Sequence, residues 1–197
     1  MEAEKSEKWV SINNGEYLYI PKFFTKIEGN ELLKNLLEEI EWKQESKTMY
    51  GKETIAPKLS ARCGDVNKSY SYNGETRHPQ ALSDSILSIK ERIASVIDID
   101  FNSVLLNQFR NEADSTYWQT DAANELGENP TNVYVNLGAT RKFQFRHRDK
   151  KGSFDINLTH GSILITRGEL QHFWVHQVAK SKKKVTPCVN LTFRRIL

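Results

Sequence analysis

Cysteine is scarce in this chain of 197 residues: Cys63 and Cys188 are its only two. Two are too few for a disulfide framework, and neither belongs to a zinc-type Cys pair, so free thiols in a reducing compartment are expected. Long hydrophobic runs are missing as well. No stretch approaches the roughly 20 apolar residues that cross a bilayer, and the opening residues, Met1 to Lys8, hold no apolar signal core. A soluble chain with no membrane partner is expected, intracellular and in the nucleus or cytoplasm. There is no internal repeat and no low-complexity linker, which at this length predicts a single domain over residues 16–197 behind a disordered polar tail of residues 1–15. A strong charge imbalance is lacking too. The net charge of +3 permits a polyanion as partner without arguing for one.

What the chain does contain is two amphipathic helices followed by many short strands. Tyr17-Leu18-Tyr19-Ile20 before Pro21 reads as a short strand. From about Asn30, Leu32, Leu33, Leu36, Leu37 and Ile40 recur at helical spacing. A second helix is predicted from the capping pair Ser83-Asp84, with Ile86, Ile89, Ile93, Val96 and Ile97 on one face. After Phe101 the pattern changes to alternation over 107–110, 132–137, 142–147, 163–166, 173–178 and 189–193, the density of strands that a sandwich or barrel requires.

Residues 43–79 have few apolar periods and read as an irregular polar region. They interleave cations with aromatics, among them Lys58, Arg62, Tyr70, Tyr72 and Arg77, as phosphate contacts and base stacking require. A second basic group, Lys180-Ser181-Lys182-Lys183-Lys184, precedes the last strand. A solvated loop and a salt-sensitive phosphate contact are both open readings of it.

Six blocks in order carry a family resemblance: Asn102-Ser103-Val104-Leu105-Leu106-Asn107, Arg110-Asn111-Glu112-Ala113-Asp114-Ser115, Leu137-Gly138-Ala139-Thr140-Arg141, His160-Gly161-Ser162-Ile163-Leu164, Trp174-Val175-His176 and Asn190-Leu191-Thr192-Phe193-Arg194. Over roughly residues 57–197 the chain resembles the AlkB family of iron(II) and 2-oxoglutarate dependent dioxygenases, especially its eukaryotic DNA and RNA repair demethylases. The resemblance implies a mostly β, α+β fold: a double-stranded β-helix, or jelly roll, with N-terminal buttressing helices and a nucleotide-recognition lid. It implies Asp121 and His176 as metal ligands, Asn107, Asn190 and Arg194 as 2-oxoglutarate contacts, and Tyr70 and Tyr72 at the substrate opening. Arg62 and the basic residues Lys182, Lys183 and Lys184 complete the expected nucleic-acid contacts.

The chain departs from the family at four places. Where the family carries His-x-Asp, this chain has Gln119-Thr120-Asp121. A neutral amide oxygen is a poorer donor to iron(II) than imidazole, so weak metal binding, or a preference for a harder ion, is expected. Cys188 stands where the family presents an Arg to 2-oxoglutarate, and Phe109 where it presents a Tyr. A buried carboxylate that loses its paired Arg is penalised by about 3 to 5 kcal/mol, and losing a donor to a charged group costs about 1.5 to 3 kcal/mol. Finally, Ala122-Ala123-Asn124-Glu125 replaces the acidic run with which relatives read the damaged base.

Two functions follow. The leading expectation is an AlkB-like protein, monomeric by default, that has lost most or all turnover and still binds single-stranded or damaged nucleic acid, with a protein partner as a further possibility. The other is a working iron(II) and 2-oxoglutarate dependent demethylase of N-alkylated bases with a non-standard metal site. A third reading, Cys188 as a nucleophile, finds no partner His or Asp at a telling spacing.

Overall fold

The computed structural model describes residues 8–49, 52–65, 70–72, 75–121 and 126–197. The first strands are β1 (Val10–Ile12) and β2 (Gly15–Ile20), followed by helix α1 (Lys26–Glu39). Five short strands come next: β3 (Ser46–Met49), β4 (Lys52–Ile55), β5 (Leu59–Gly64), β6 (Tyr70–Tyr72) and β7 (Glu75–Arg77). Helix α2 (Asp84–Ala94) leads to β8 (Ser103–Phe109), β9 (Asn132–Gly138), β10 (Arg141–His147), β11 (Ser153–Leu158) and β12 (Ser162–Arg167). A single turn, α3 (Leu170–Phe173), precedes β13 (Trp174–Val178) and β14 (Cys188–Arg194).

Both long helices start where their caps dictate. Thr25 accepts from the Glu28 amide while Glu28 accepts from the Thr25 amide, a reciprocal capping box at α1. The Ser83 hydroxyl accepts from the Ile86 amide at α2. α2 ends at Ala94, so Val96 and Ile97 lie beyond the helix that the apolar spacing extends through them. α1 packs tightly on the strand layer at Gly29, where a Cβ would stand 2.7 Å from the His160 ring.

Seven strands form one sheet in the order β1-β2-β12-β9-β14-β8-β5, and three form another in the order β11-β10-β13. The pairings within both are antiparallel. Alternation divides the large sheet into two apolar faces. Val104, Leu106, Val133, Val135, Ile163, Ile165, Val189, Leu191 and Phe193 bury against Leu36, Ile86, Ile89 and Ile93 of the helices. The other face meets Phe143, Phe145, Ile156 and Val178 of the small sheet across the lumen. This two-sheet sandwich with helices on one outer face is the jelly roll that the family resemblance implies.

Three local readings change. β1 pairs with β2 (Val10↔Tyr17, Ser11↔Glu16, Ile12↔Gly15) and the Arg167 guanidinium lies 3.7 Å from the Trp9 ring centre, so residues 9–15 belong to the folded sheet and not to a disordered tail. The region 43–79 contains strands where the sequence reads as irregular. β5 joins the large sheet as its edge, held on one side by β8 and on the other by the reciprocal bonds of Lys43 and Ser60. β11, whose Phe154, Ile156 and Leu158 alternate with polar residues, was not anticipated.

Candidate functional site

β14 is the central strand of the site. It is buried along its whole length between β8 and β9, and period 2 sends Cys188, Asn190, Thr192 and Arg194 into the lumen. Register then sets polar side chains in line across five strands: Ser60 faces Asn107, Asn107 faces Asn190, Asn190 faces Asn136, and Asn136 faces Ser162. All five are buried. Asn107, Asn190 and Arg194 therefore share the lumen face of the large sheet. Asn136 was not singled out from sequence, although Asn132, Tyr134 and Asn136 fall on one face of β9 by the same alternation.

Residues 110–121 cross from β8 to the small sheet along a built path. Asp114 accepts from the Arg110 amide at 2.9 Å and from Arg110 Nε and Nη2 at 2.8 and 3.0 Å. Thr116 and Val178 exchange two hydrogen bonds, and Gln119 and His176 exchange both backbone bonds at 2.9 and 2.8 Å. Gln119 and His176 are thus directly opposed, with their side chains on one face. The spacing of two places Asp121 on the same side as Gln119.

Asp121 is the most heavily bonded group of the cleft. Tyr134 donates to its Oδ2 at 2.6 Å and Asn132 at 3.3 Å, while Arg194 Nη2 donates to its Oδ1. The Gln171 carboxamide accepts from the Asp121 amide at 3.1 Å and contacts Tyr134 Oη and Thr166 Oγ1 through Nε2, which fixes the Asp121 backbone. Burial alone would raise the Asp121 pKa; Arg194, His176 and Tyr134 outweigh it and hold the carboxyl below its ordinary value. Burial lowers the His176 pKa against the opposing pull of Asp121. Burial and Asp121 both raise the Tyr134 pKa, which keeps its hydroxyl a donor.

A facial iron(II) centre takes two imidazoles and one carboxylate. His176 Nε2 and Asp121 Oδ2 lie 3.7 Å apart, close enough for one ion to touch both at bond lengths of about 2.1 Å. Among the described residues the third donor is missing. No group of three or more His, Cys, Asp and Glu converges among the described residues, and the opposed position holds Gln119. Arg194 already neutralises Asp121, and His176 Nδ1 has no hydrogen-bond partner to orient the ring. These residues do not fit the family's iron site.

The co-substrate end is changed as well. Phe109 and Cys188 are register neighbours in the lumen. The Arg141 guanidinium lies 4.9 Å from the Phe109 ring centre, while its Nη atoms donate to the carbonyls of Asn111, Asp114 and Ala179. The Cys188 thiol faces Arg141 and is pushed up to about 12, chiefly by burial. Lys58, on the turn before β5, donates from Nζ to Asn107 Oδ1 at 2.6 Å, a contact that its place in a polar stretch did not reveal.

The expected nucleic-acid residues lie on three separate segments of the chain. Tyr70 and Tyr72 are the ends of β6, which pairs with β7 as a hairpin. Arg62 is on the lumen side of β5 and lines a cavity of about 520 Å³ with Ser60, His78 and Gln80. Cys63 points the other way, into the helix-side core, because strand alternation separates it from Arg62. Lys182, Lys183 and Lys184 are exposed in the loop before β14. The replaced base-reading run, 122–125, lies outside the described residues.

The model of the 2OG-Fe(II) oxygenase superfamily matches residues 16–194. The chain is 30% identical over 185 residues to human DNA oxidative demethylase ALKBH2, covering 88% of this chain and 71% of that one. It is 33% identical over 186 residues to human alpha-ketoglutarate-dependent dioxygenase alkB homolog 3, covering 89% and 64%. The Bos taurus ALKBH2 match covers 66% of that protein, so the chain spans about two thirds of the curated relatives it matches. Among solved structures, OsALKBH1 superposes with a TM-score of 0.59 at 16% identity over 95% of this chain and all of that one. A Trichoplax adhaerens prolyl hydroxylase gives 0.59 at 11% identity over 92% and 84%, and both show the shared fold. On the family match, the identity to these demethylases and the common jelly roll, the chain belongs to the AlkB family of the 2OG-Fe(II) oxygenases.

Proposed function

We propose that this AlkB-family chain binds single-stranded or damaged nucleic acid and has lost, or retains only weakly, the iron(II) and 2-oxoglutarate dependent demethylation of its relatives. The observation that carries this reading is the Asp121–Arg194 ion pair beside a Gln119 that faces His176. The carboxylate left to hold a metal is committed to the arginine left to hold a co-substrate. Binding would use Tyr70, Tyr72 and Arg62 at the opening and Lys182, Lys183 and Lys184 as salt-sensitive phosphate contacts, in the nucleus or cytoplasm. Monomeric action, with or without a protein partner, completes the proposal.

A second reading rests on the 3.7 Å approach of His176 to Asp121. There the chain is a working demethylase in which Gln119 or water completes the metal site. Asn107, Asn190 and Arg194 would orient 2-oxoglutarate, and Asp121 and His176 would hold the metal.

Fluorescence anisotropy with a single-stranded oligonucleotide tests the binding half. Affinity should fall linearly with salt on a log–log plot, and replacing Lys182, Lys183 and Lys184 together by Ala should reduce that slope by about two, at roughly 0.7 per phosphate contact. No salt-dependent binding to DNA or RNA would contradict the proposal and point to a protein-interaction role.

A further inference from the structure

Helices α1 and α2 leave a groove that the nucleic-acid reading does not use. Their inner faces pack on the large sheet through Leu36, Ile86, Ile89 and Ile93, while their facing flanks border a cavity of about 720 Å³. Helical spacing makes its walls. Glu28, Glu31, Asn35 and Glu39 recur at three- and four-residue steps along α1, and Asp84, Ser88, Glu91 and Ser95 do so along α2, so each helix turns one polar stripe into the groove. Ser85, at the start of α2, donates to Glu39, at the end of α1, at 3.1 Å. Arg92, at the end of α2, acts through space on Glu28, at the start of α1. The helices therefore run antiparallel, and the two stripes oppose each other along the groove.

The charge there has the opposite sign to the chain as a whole. The net charge is +3, yet five carboxylates, those of Glu28, Glu31, Glu39, Asp84 and Glu91, line the groove against the single guanidinium of Arg92. Glu28 is held in the capping box of α1 and Glu39 by Ser85. Among the described residues Glu31, Asp84 and Glu91 enter no ion pair. Lys90, the other cation of α2, is bonded outside the groove to Asp100 at 2.7 Å, and Lys26 and Lys34 of α1 do not line it.

Two large apolar side chains stand in water beside these carboxylates. Ile27, 80% exposed, precedes Glu28 by one residue and Glu31 by four; Leu87, 46% exposed, follows Asp84 by three and precedes Glu91 by four. Phe24 and Leu32 add apolar surface to the lining. An acidic groove with apolar edges repels phosphate and suits a segment that carries cations and apolar groups together. α1 has 14 residues, about 21 Å of helix, enough to seat about three turns of a partner helix. The groove lies on the helix-covered side of the large sheet, away from the lumen face that carries Asn107, Asn190 and Arg194.

We propose that the α1–α2 groove is the docking site for a basic amphipathic helix of a partner protein, whose Arg or Lys side chains reach Glu31, Asp84 and Glu91 and whose apolar residues cover Ile27 and Leu87. This gives a chemistry to the protein partner that the proposed function leaves open, and it holds whether or not the chain binds nucleic acid.

Fluorescence anisotropy of the full chain with a labelled peptide of about 12 residues, Arg and Leu set at helical spacing, tests this. A scrambled peptide of the same composition, a peptide with Glu in place of Arg, and spermine as competitor are the controls. The amphipathic peptide should bind more tightly than either control peptide and resist displacement by spermine. Glu31→Gln/Glu91→Gln should weaken it by roughly 3- to 10-fold, the effect of two exposed ion pairs, and Ile27→Ser/Leu87→Ser should weaken it too. Glu38→Gln/Asp98→Asn, the same charge change at exposed positions outside the groove, should leave it unchanged. Circular dichroism and urea midpoints confirm that the variants fold. Equal binding of the scrambled peptide, equal losses from the groove pair and the distant pair, or ready displacement by spermine would overturn the docking site in favour of charge attraction alone. Oligonucleotide anisotropy on the same variants, expected unchanged, separates its failure from failure of the nucleic-acid reading.

Discussion

Arg194 and Asp121, 73 residues apart in sequence, close an ion pair inside the lumen. The last strand of the large sheet is thereby tied to the crossing segment that carries Gln119. Removing one member leaves the other charged and buried, so Arg194→Met should destabilise the fold by about 3 to 5 kcal/mol. In urea denaturation the double variant Arg194→Met/Asp121→Asn should recover part of that loss. A single-variant loss below about 1 kcal/mol would show that the pair is not closed in solution.

Asp114 gives the pH dependence a sign. Burial opposes its ionisation, but the bonds from Arg110 outweigh it and lower its pKa. A carboxyl depressed on folding contributes stability that is present above its unfolded pKa of about 3.9 and is lost as pH falls through the folded value. Asp114→Asn should cost about 1 to 3 kcal/mol at pH 7, and the gap to the parent should narrow as urea midpoints are followed downward from pH 5. A gap that stays constant with pH would contradict this.

Gly138 ends β9 at φ +101°, where an added Cβ would lie 2.4 Å from the Pro187 carbonyl oxygen and 2.8 Å from Cys188 Cα. Gly138→Ala should therefore destabilise by about 1 to 3 kcal/mol, lowering the thermal midpoint. A neutral result would mean that the approach of β14 can relax.

Both thiols should be inert in the native state. Cys63 and Cys188 are fully buried, and burial is the leading cause that pushes each to about 12. Iodoacetamide at neutral pH, read by intact mass, should label neither until urea unfolds the chain. Rapid labelling of native Cys188 would revive the nucleophile reading.

The sequence was most informative where one residue's environment is set by alternation alone. β8 and β14 show their lumen faces directly, and the Leu and Ile spacings place α1 and α2. β5 was hidden because Ser60 and Arg62 make an edge strand read as polar, whereas β11 carries a legible alternation, Phe154, Ile156 and Leu158 against Asp155 and Asn157, that the strand pattern above leaves out. The Asp121–Arg194 pair and the clamp from Gln171 join residues far apart in sequence, so no local pattern signals them. Lys58 illustrates the same limit: its charge was visible, while its turn toward Asn107 depends on a loop held by Ser115.

The central claim is that the ordinary reaction was given up at named positions of an intact fold. Succinate formation from 2-oxoglutarate, with iron(II) and a methylated single-stranded oligonucleotide, tests it on the parent and on Gln119→His/Phe109→Tyr/Cys188→Arg. The account predicts a parent no faster than its metal-free control and a triple variant that turns over. Metal-dependent succinate from the parent at a rate matching the triple variant would contradict it.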